Sequence, residues 1–216
     1  MPKAIIFDMD GVIIDSEPLW RRAMVRGFSK NGLPFTDADS RVTTGMRIDQ
    51  VISFWNNKTP FTTNETLVKN TIEDHLCGLI MAEGKAMKGL QQALDVIASQ
   101  GLIIALATSS SKKLITCVLN VLKIEHYFKH IQSAEDLKYG KPHPEVFLKC
   151  AEAINIKPHD CLVIEDSLNG IISAKAAGMS VIGIPEEFNI SNPKFIISDI
   201  TLHSLLEINL ETLKKF

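Results

Sequence analysis

The apolar positions of the chain fall into two kinds of stretch, short unbroken runs and longer segments of helical period. Residues 3–7 contain Ala4-Ile5-Ile6-Phe7, an apolar run without alternation. That pattern predicts a strand covered on both faces, as in a parallel sheet. Similar runs at 102–107, 161–164 and 180–184 predict further buried strands, a short one is expected near 130–132, and Phe195-Ile196-Ile197 reads as a last one. Helical stretches separate them. Leu90, Ala93, Leu94 and Ile97 recur at helical spacing over 89–99, and helices are predicted from Ser111 to about 122, over 144–154, and over 168–177 before Gly178. Strand and helix in alternation predict an α/β fold, a Rossmann-like, mostly parallel sheet flanked by helices.

Residues 15–85 do not share this rhythm. Ser16 with Pro18 marks a helix start, and the helix should run to about Lys30, where Asn31-Gly32 and Pro34 stop it. Thr36 and Asn64 look like helix caps, 47–57 and 64–82 are amphipathic, and no buried strand is evident. A βαβ unit takes roughly 30 residues, yet the runs at 3–7 and 102–107 lie almost a hundred apart. The intervening segment therefore reads as an insertion. The expected organisation is a core of residues 1–14 and 86–216 carrying a small α-helical cap of residues 15–85.

Composition narrows the function classes. The chain has 216 residues, 45% of them hydrophobic and 22% charged, as expected of a globular protein with a sizeable core. A net charge of −2 without a basic stripe argues against a nucleic-acid partner, and Arg21-Arg22 reads as a solvated helix face. Asp8 interrupts the first apolar stretch too early for a signal sequence, and no run approaches the ~20 apolar residues that span a bilayer. Cys77, Cys117, Cys150 and Cys161 show neither CxxC nor zinc spacing. They are expected to be buried, reduced thiols of a cytoplasmic protein, acting as a monomer.

Three of the apolar runs end in polar residues: Asp8 and Asp10 after the first, Thr108 and Ser109 after the second, Glu165 and Asp166 after the third. The carboxyl ends of parallel strands share one edge of the sheet, where ligands bind. Helix capping would account for Thr108, Ser109 or Asp166 singly. It does not account for three strand ends together, two of them with doubled carboxylates. Two carboxylates about 4 Å apart repel by roughly 4 kcal/mol at an effective dielectric near 20. Asp8, Asp10, Glu165 and Asp166 therefore call for a cation, and hard oxygen donors favour Mg²⁺, which leaves positions for water and a phosphate oxygen. Lys141, in the constrained loop Tyr139-Gly140-Lys141-Pro142-His143-Pro144, is a candidate for fixed positive charge.

Asp8-Met9-Asp10-Gly11, Thr108, Lys141 and Glu165-Asp166 resemble, in order and at strand ends, the four motifs of the haloacid dehalogenase superfamily of phosphotransferases. The helical insertion after the first motif is similar to that superfamily's small helical cap, so the resemblance spans essentially the whole chain. Asp15-Ser16-Glu17-Pro18-Leu19-Trp20, Thr44-Gly45-Met46-Arg47-Ile48-Asp49 and Glu165-Asp166-Ser167-Leu168-Asn169-Gly170 look most like the branch of hexitol and 2-deoxyglucose-6-phosphate phosphatases, a branch related to the β-phosphoglucomutases.

The resemblance implies a Mg²⁺-dependent sugar-phosphate phosphatase with a small-molecule substrate. Asp8 would be the nucleophile, forming an aspartyl-phosphate, and Asp10 the general acid and then base. Asp8, Asp166 and the backbone carbonyl of Asp10, with Glu165 nearby, would hold the metal. Met9, Thr108, Ser109 and Lys141 would bind the phosphate together with the two aspartates. Thr44, Gly45 and Arg47 would face the substrate from the cap, and Trp20 or Trp55 would line the sugar pocket. Two readings compete. One is a sugar phosphomutase, from whose histidine-bearing stretch Glu17-Pro18 departs; the other is a catalytically idle phosphate-binding protein.

Overall fold

The first apolar run becomes the middle of the sheet. β1 (Ala4–Phe7) is flanked by β2 (Ile103–Thr108) and β4 (Cys161–Glu165). With β3 (His130–Ser133), β5 (Ser180–Gly183) and β6 (Ile200–Thr201), the six strands follow the order β3-β2-β1-β4-β5-β6, and every pairing is parallel. The structure, a computed structural model, describes residues 1–43, 45–59, 64–186 and 189–216. Phe7 is in register with Leu106 and with Ile164. Asp8 and Glu165 therefore leave the sheet at the same level, with Thr108 one residue further along its own strand.

The apolar runs lack alternation because each strand is covered twice. Ile5, Phe7, Ile104, Leu106, Leu162 and Ile164 face one layer, built from α5 (Leu90–Ser99) and α6 (Lys112–Leu122). Ala4, Ile6, Ala105, Ala107 and Val163 face the other, built from α7 (Glu145–Ala153) and α8 (Leu168–Ala176). A short α9 (Leu210–Leu213) closes the first layer through Leu213.

Between β1 and α5 the chain forms α1 (Glu17–Lys30), α2 (Asp37–Ser40), α3 (Ile48–Lys58) and α4 (Glu65–Glu83). Thr36 closes a capping box with Asp39, and Asn64 accepts from the Leu67 N–H, both as the sequence suggested. α1 and α4 lie close enough that a side-chain carbon at Gly27 would overlap Ile72. Phe28 stacks on Phe35 with ring centroids 4.5 Å apart, and Trp55 meets Phe35 edge-on at 5.3 Å. The two chain crossings to the sheet run side by side: the Asp15 N–H donates to the Lys85 carbonyl at 2.9 Å, and Ile14 bridges Ala86. Among the described residues, no helix is long and apolar enough to cross a membrane.

Two expectations need correction. Phe195-Ile196-Ile197 is not a strand but part of a 3-10 turn over Pro193–Ile197. Pro193 has no N–H for a ladder, and the Asn192 side chain accepts from the Lys194 N–H at 3.1 Å, so the turn outcompetes extension; the edge strand is β6. The cysteines are not all reduced. Cys77 of α4 and Cys117 of α6 form a disulfide, with Cα atoms 6.0 Å apart, while Cys150 and Cys161 are free and buried. A pair 40 residues apart on two helices leaves no spacing signature. With one pair joined, the cysteines do not point to a reducing compartment.

Candidate active site

Gly11 at φ +72 turns the chain out of β1, and a side chain there would overlap the Asp166 carboxylate. The turn stays tight because the Met9 carbonyl accepts from the N–H groups of Val12, Ile13 and Ile14. It presents Asp8 and Asp10 at the sheet edge. Met9 itself is wholly buried with its side chain in the core, so its contribution to a ligand would come from the backbone.

Capping, the alternative account of the strand-end residues, belongs to their neighbours. Ser111 caps α6 by accepting from the Leu114 N–H, and Ser167 caps α8 by accepting from the Gly170 N–H. Thr108, Ser109 and Asp166 are thereby left to line the cleft. Thr108 accepts from the Ser110 N–H at 3.1 Å, and the buried Ser109 hydroxyl has no partner within the protein.

Lys141 sits at the centre. Only 2% of it is exposed, and its ammonium donates to Asp8 Oδ1 at 2.7 Å and Glu165 Oε1 at 2.6 Å, 4.9 Å over the Phe147 ring. Burial alone would lower its pKa; the two carboxylates outweigh that and raise it. The loop that carries it has a cis Lys141–Pro142 bond, and the Tyr139 and His143 rings lie tilted against each other with centroids 4.4 Å apart. Gly140 lets α3 come close, since a side chain there would meet Gln50 and Arg47.

Asp8, Glu165 and Asp166 are buried with one oxygen from each mutually within 4.8 Å. Three carboxylates against one ammonium leave an excess of two negative charges when all are ionised. Burial first, then Glu165 and Asp10, push Asp8 up to about 7 despite Lys141. Burial and the charges of Glu165 and Asp8 likewise raise Asp166. A divalent cation with hard oxygen preference fits this donor set, because it would supply the missing charge. The two Glu165 oxygens already accept from Lys141, the Ser167 N–H at 2.7 Å and the Ser167 hydroxyl at 3.0 Å. Gly170 leaves the space that carboxylate occupies.

Asp10 is held differently. Its Oδ1 accepts from the Ser16 hydroxyl at 2.6 Å and the Trp20 indole N–H at 2.7 Å, and its Oδ2 from the Ser110 hydroxyl at 2.6 Å. Its carboxylate is not part of the group of three. Ser16, read from the sequence as a helix start, makes no side-chain cap bond to α1 and serves Asp10 instead. Ser16 and Ser110 were not legible as site residues: a serine before a helix reads as a cap. Glu17, on the cleft wall, is pushed up to about 8 by burial and by Glu186 and Asp10.

The cleft is partly open to solvent, with a cavity of about 60 Å³. Its floor is polar, made of Asp8, Asp10, Thr108 to Ser111, Lys141 and Asp166, and its roof is largely apolar, made of Trp20, Met24, Met46, Ile48 and Val51 from the helical segment. Gly45 lines it at φ +78, against Ser167. Thr44 lies outside the described residues. Arg47 is not brought into the cleft. It pairs with Asp49 at 2.6 and 2.8 Å and donates through Nη1 to the carbonyls of Ala134 and Leu137, both at 2.7 Å. Trp20 lines the cleft, whereas Trp55 packs against Phe35 and Phe54.

Known proteins resemble this chain over nearly its whole length. Hexitol phosphatase B of Escherichia coli (strain K12) is 35% identical over 213 residues, covering 97% of this chain and 96% of that protein. The crystal structure of CbbY from Rhodobacter sphaeroides in complex with phosphate has a TM-score of 0.88 at 24% identity, over 99% of this chain and 100% of that one. A β-phosphoglucomutase from Clostridium difficile gives a TM-score of 0.85 at 25% identity, over 100% of this chain and 96% of that one. The sequence model of the haloacid dehalogenase-like hydrolases matches residues 5–184, and the chain belongs to that family.

Proposed function

We propose that this chain is a Mg²⁺-dependent phosphatase of small sugar phosphates, of the hexose, hexitol or deoxyhexose class, working through an aspartyl-phosphate on Asp8. One observation carries the reading: a buried Lys141 bridging Asp8 and Glu165, beside Asp166, at the polar floor of a cleft. The identity to a hexitol phosphatase over almost the full length supports the substrate class. Residues 1–14 and 86–216 form the catalytic core in this reading, and residues 15–85 the cap that closes over the substrate. We take the enzyme to act as a cytoplasmic monomer.

The phosphate group enters between Lys141 and the strand ends, where Lys141, Thr108, the unpartnered Ser109 hydroxyl and the backbone at Met9 and Asp10 take its oxygens. Asp8 attacks phosphorus through its oxygen not bonded to Lys141. Asp10 protonates the departing sugar oxygen and then takes a proton from the water that hydrolyses the acyl phosphate. Ser16, Trp20 and Ser110 keep its carboxylate aimed. Asp8, Asp166 and the Asp10 carbonyl, with Glu165 beside them, would hold Mg²⁺, which supplies charge neutralisation of the phosphoryl group. The apolar roof excludes water once the cap is shut.

The test is a panel of hexose, hexitol and deoxyhexose phosphates with and without Mg²⁺, read as released inorganic phosphate. Release from at least one, abolished by EDTA, is the expected result. β-Glucose 1-phosphate converted to glucose 6-phosphate without phosphate release would instead mean a mutase. No turnover of any ester, p-nitrophenyl phosphate included, would leave a binding protein.

A further inference from the structure

The helical segment and the sheet core are joined by more than their two chain crossings. Arg47 bonds the carbonyls of Ala134 and Leu137, Lys69 meets Glu135 at 3.0 Å, and Lys113 pairs with Asp74. These non-covalent ties can break and reform within a catalytic cycle. The Cys77–Cys117 bond cannot. It links α4 of the helical segment to α6 of the core, and both cysteines are half-buried, within reach of a small thiol.

Position decides what that bond does. The chain crossings at Asp15 and Lys85 are paired by a hydrogen bond and by the Ile14–Ala86 bridge, so they form one narrow axis about which the segment can turn. Cys77 lies eight residues before Lys85, six of them to the end of α4 at Glu83, a lever arm of about 10–12 Å at 1.5 Å per helical residue. An opening of about 20° at that lever arm would part the two sulfurs by roughly 4 Å, twice the length of the bond. Oxidised, the segment is fastened in the position that roofs the cleft.

We propose that Cys77 and Cys117 are a redox modification site, a covalent latch that holds the cap shut over the active site when oxidised and releases it when reduced. The latch rests on the reading of residues 15–85 as a cap that opens for substrate entry and product release. Its chemistry is thiol–disulfide exchange with a dithiol. One reductant thiolate attacks the Cys77–Cys117 bond, the second displaces the mixed disulfide, and the protein ends with two thiols while the reductant becomes a disulfide; two electrons and two protons pass to the protein. Oxidation by a small-molecule disulfide is the reverse. In a reducing compartment such a bond is a transient, regulatory one. Cys150 and Cys161 take no part: both are buried, and burial pushes their thiols up to about 12 and 11.

The test uses the full chain, oxidised with glutathione disulfide or reduced with dithiothreitol. Alkylation under denaturing conditions followed by peptide mapping should find Cys77 linked to Cys117 after oxidation, and four alkylated cysteines after reduction. Absence of the linked peptide after oxidation would overturn the site. Binding and release of inorganic phosphate with Mg²⁺, followed by intrinsic tryptophan fluorescence, to which Trp20 in the cleft contributes, should be about tenfold or more slower in the oxidised protein. Turnover of p-nitrophenyl phosphate should fall in parallel. Cys77→Ser and Cys117→Ser should exchange phosphate at the reduced rate under both conditions. Equal exchange rates in linked and reduced wild-type protein would overturn the latch. If the reduced protein exchanges phosphate but hydrolyses no ester, the latch stands and the phosphatase reading fails.

Discussion

Asp8 and Asp10 are separated by one residue and are held by different partners. Asp8 shares an ammonium with Glu165, and Asp10 collects three neutral donors. The difference matches the different tasks assigned to them, nucleophile and proton carrier. Asp8→Asn keeps the shape and the contact to Lys141 but weakens the nucleophile. It should cost on the order of 10³-fold or more in kcat while circular dichroism and Tm stay near wild type. Trp20→Phe keeps the ring in the cleft and removes the N–H that bonds Asp10 Oδ1. A hydrogen bond to a charged group is worth about 1.5–3 kcal/mol, so kcat should fall about tenfold or more with KM changed little, read from steady-state kinetics.

At the scale of elements, α8 and α4 show two opposite uses of glycine. Gly170, in the first turn of α8, lies hard against the Glu165 carboxylate, and a methyl group there would displace the partner of Lys141. Gly170→Ala should destabilise the fold by about 1–3 kcal/mol in urea unfolding and lower activity with it. Gly78, on the exposed face of α4, has nothing within 4 Å of where its side chain would be. Gly78→Ala should therefore stabilise by about 0.5–1 kcal/mol in the same measurement, through helix propensity alone.

The elements were also where sequence was most informative. Strand runs covered on both faces carry no alternation, so β1, β2, β4 and β5 were visible within a residue or two, and with them the polar ends that make the floor of the cleft. What escaped was set by contacts across the fold. Arg47 has the chemistry of a substrate ligand, but two carbonyls and Asp49 reach it first. Ser16 has the chemistry of a cap, yet its hydroxyl finds Asp10. Cys77 and Cys117 lie on different helices, and only the packing of α4 on α6 pairs them.

For the whole molecule, the buried carboxylates tie stability to pH and, in the proposed reading, to Mg²⁺. Without metal the folded protein holds the Asp8 proton up to about 7, above the 3.8 of the free side chain, because burial disfavours the ion. A group whose pKa is raised on folding contributes its full stability below the unfolded value and loses it as pH climbs through the folded one. Asp166 and Glu17 act in the same sense. In EDTA, Tm should therefore decline from pH 5 toward pH 8. Mg²⁺ needs the ionised carboxylates, so the rise in Tm on adding it should be larger at pH 8 than at pH 5.5, by differential scanning calorimetry.

The cleft draws its floor and roof from different parts of the chain, the floor from strand ends and the roof from α1, α3 and the turns between them. In the proposed reading, recognition of the phosphate and recognition of what the phosphate is attached to are thereby written in separate stretches of gene. Met24, Met46, Ile48 and Val51 line the roof, and none of them is among the groups proposed to handle phosphorus. Met24, Ile48 and Val51 belong to the same apolar core as β1 and β2, so a library at these four positions held to apolar side chains of similar volume would explore new leaving groups without unpacking the fold.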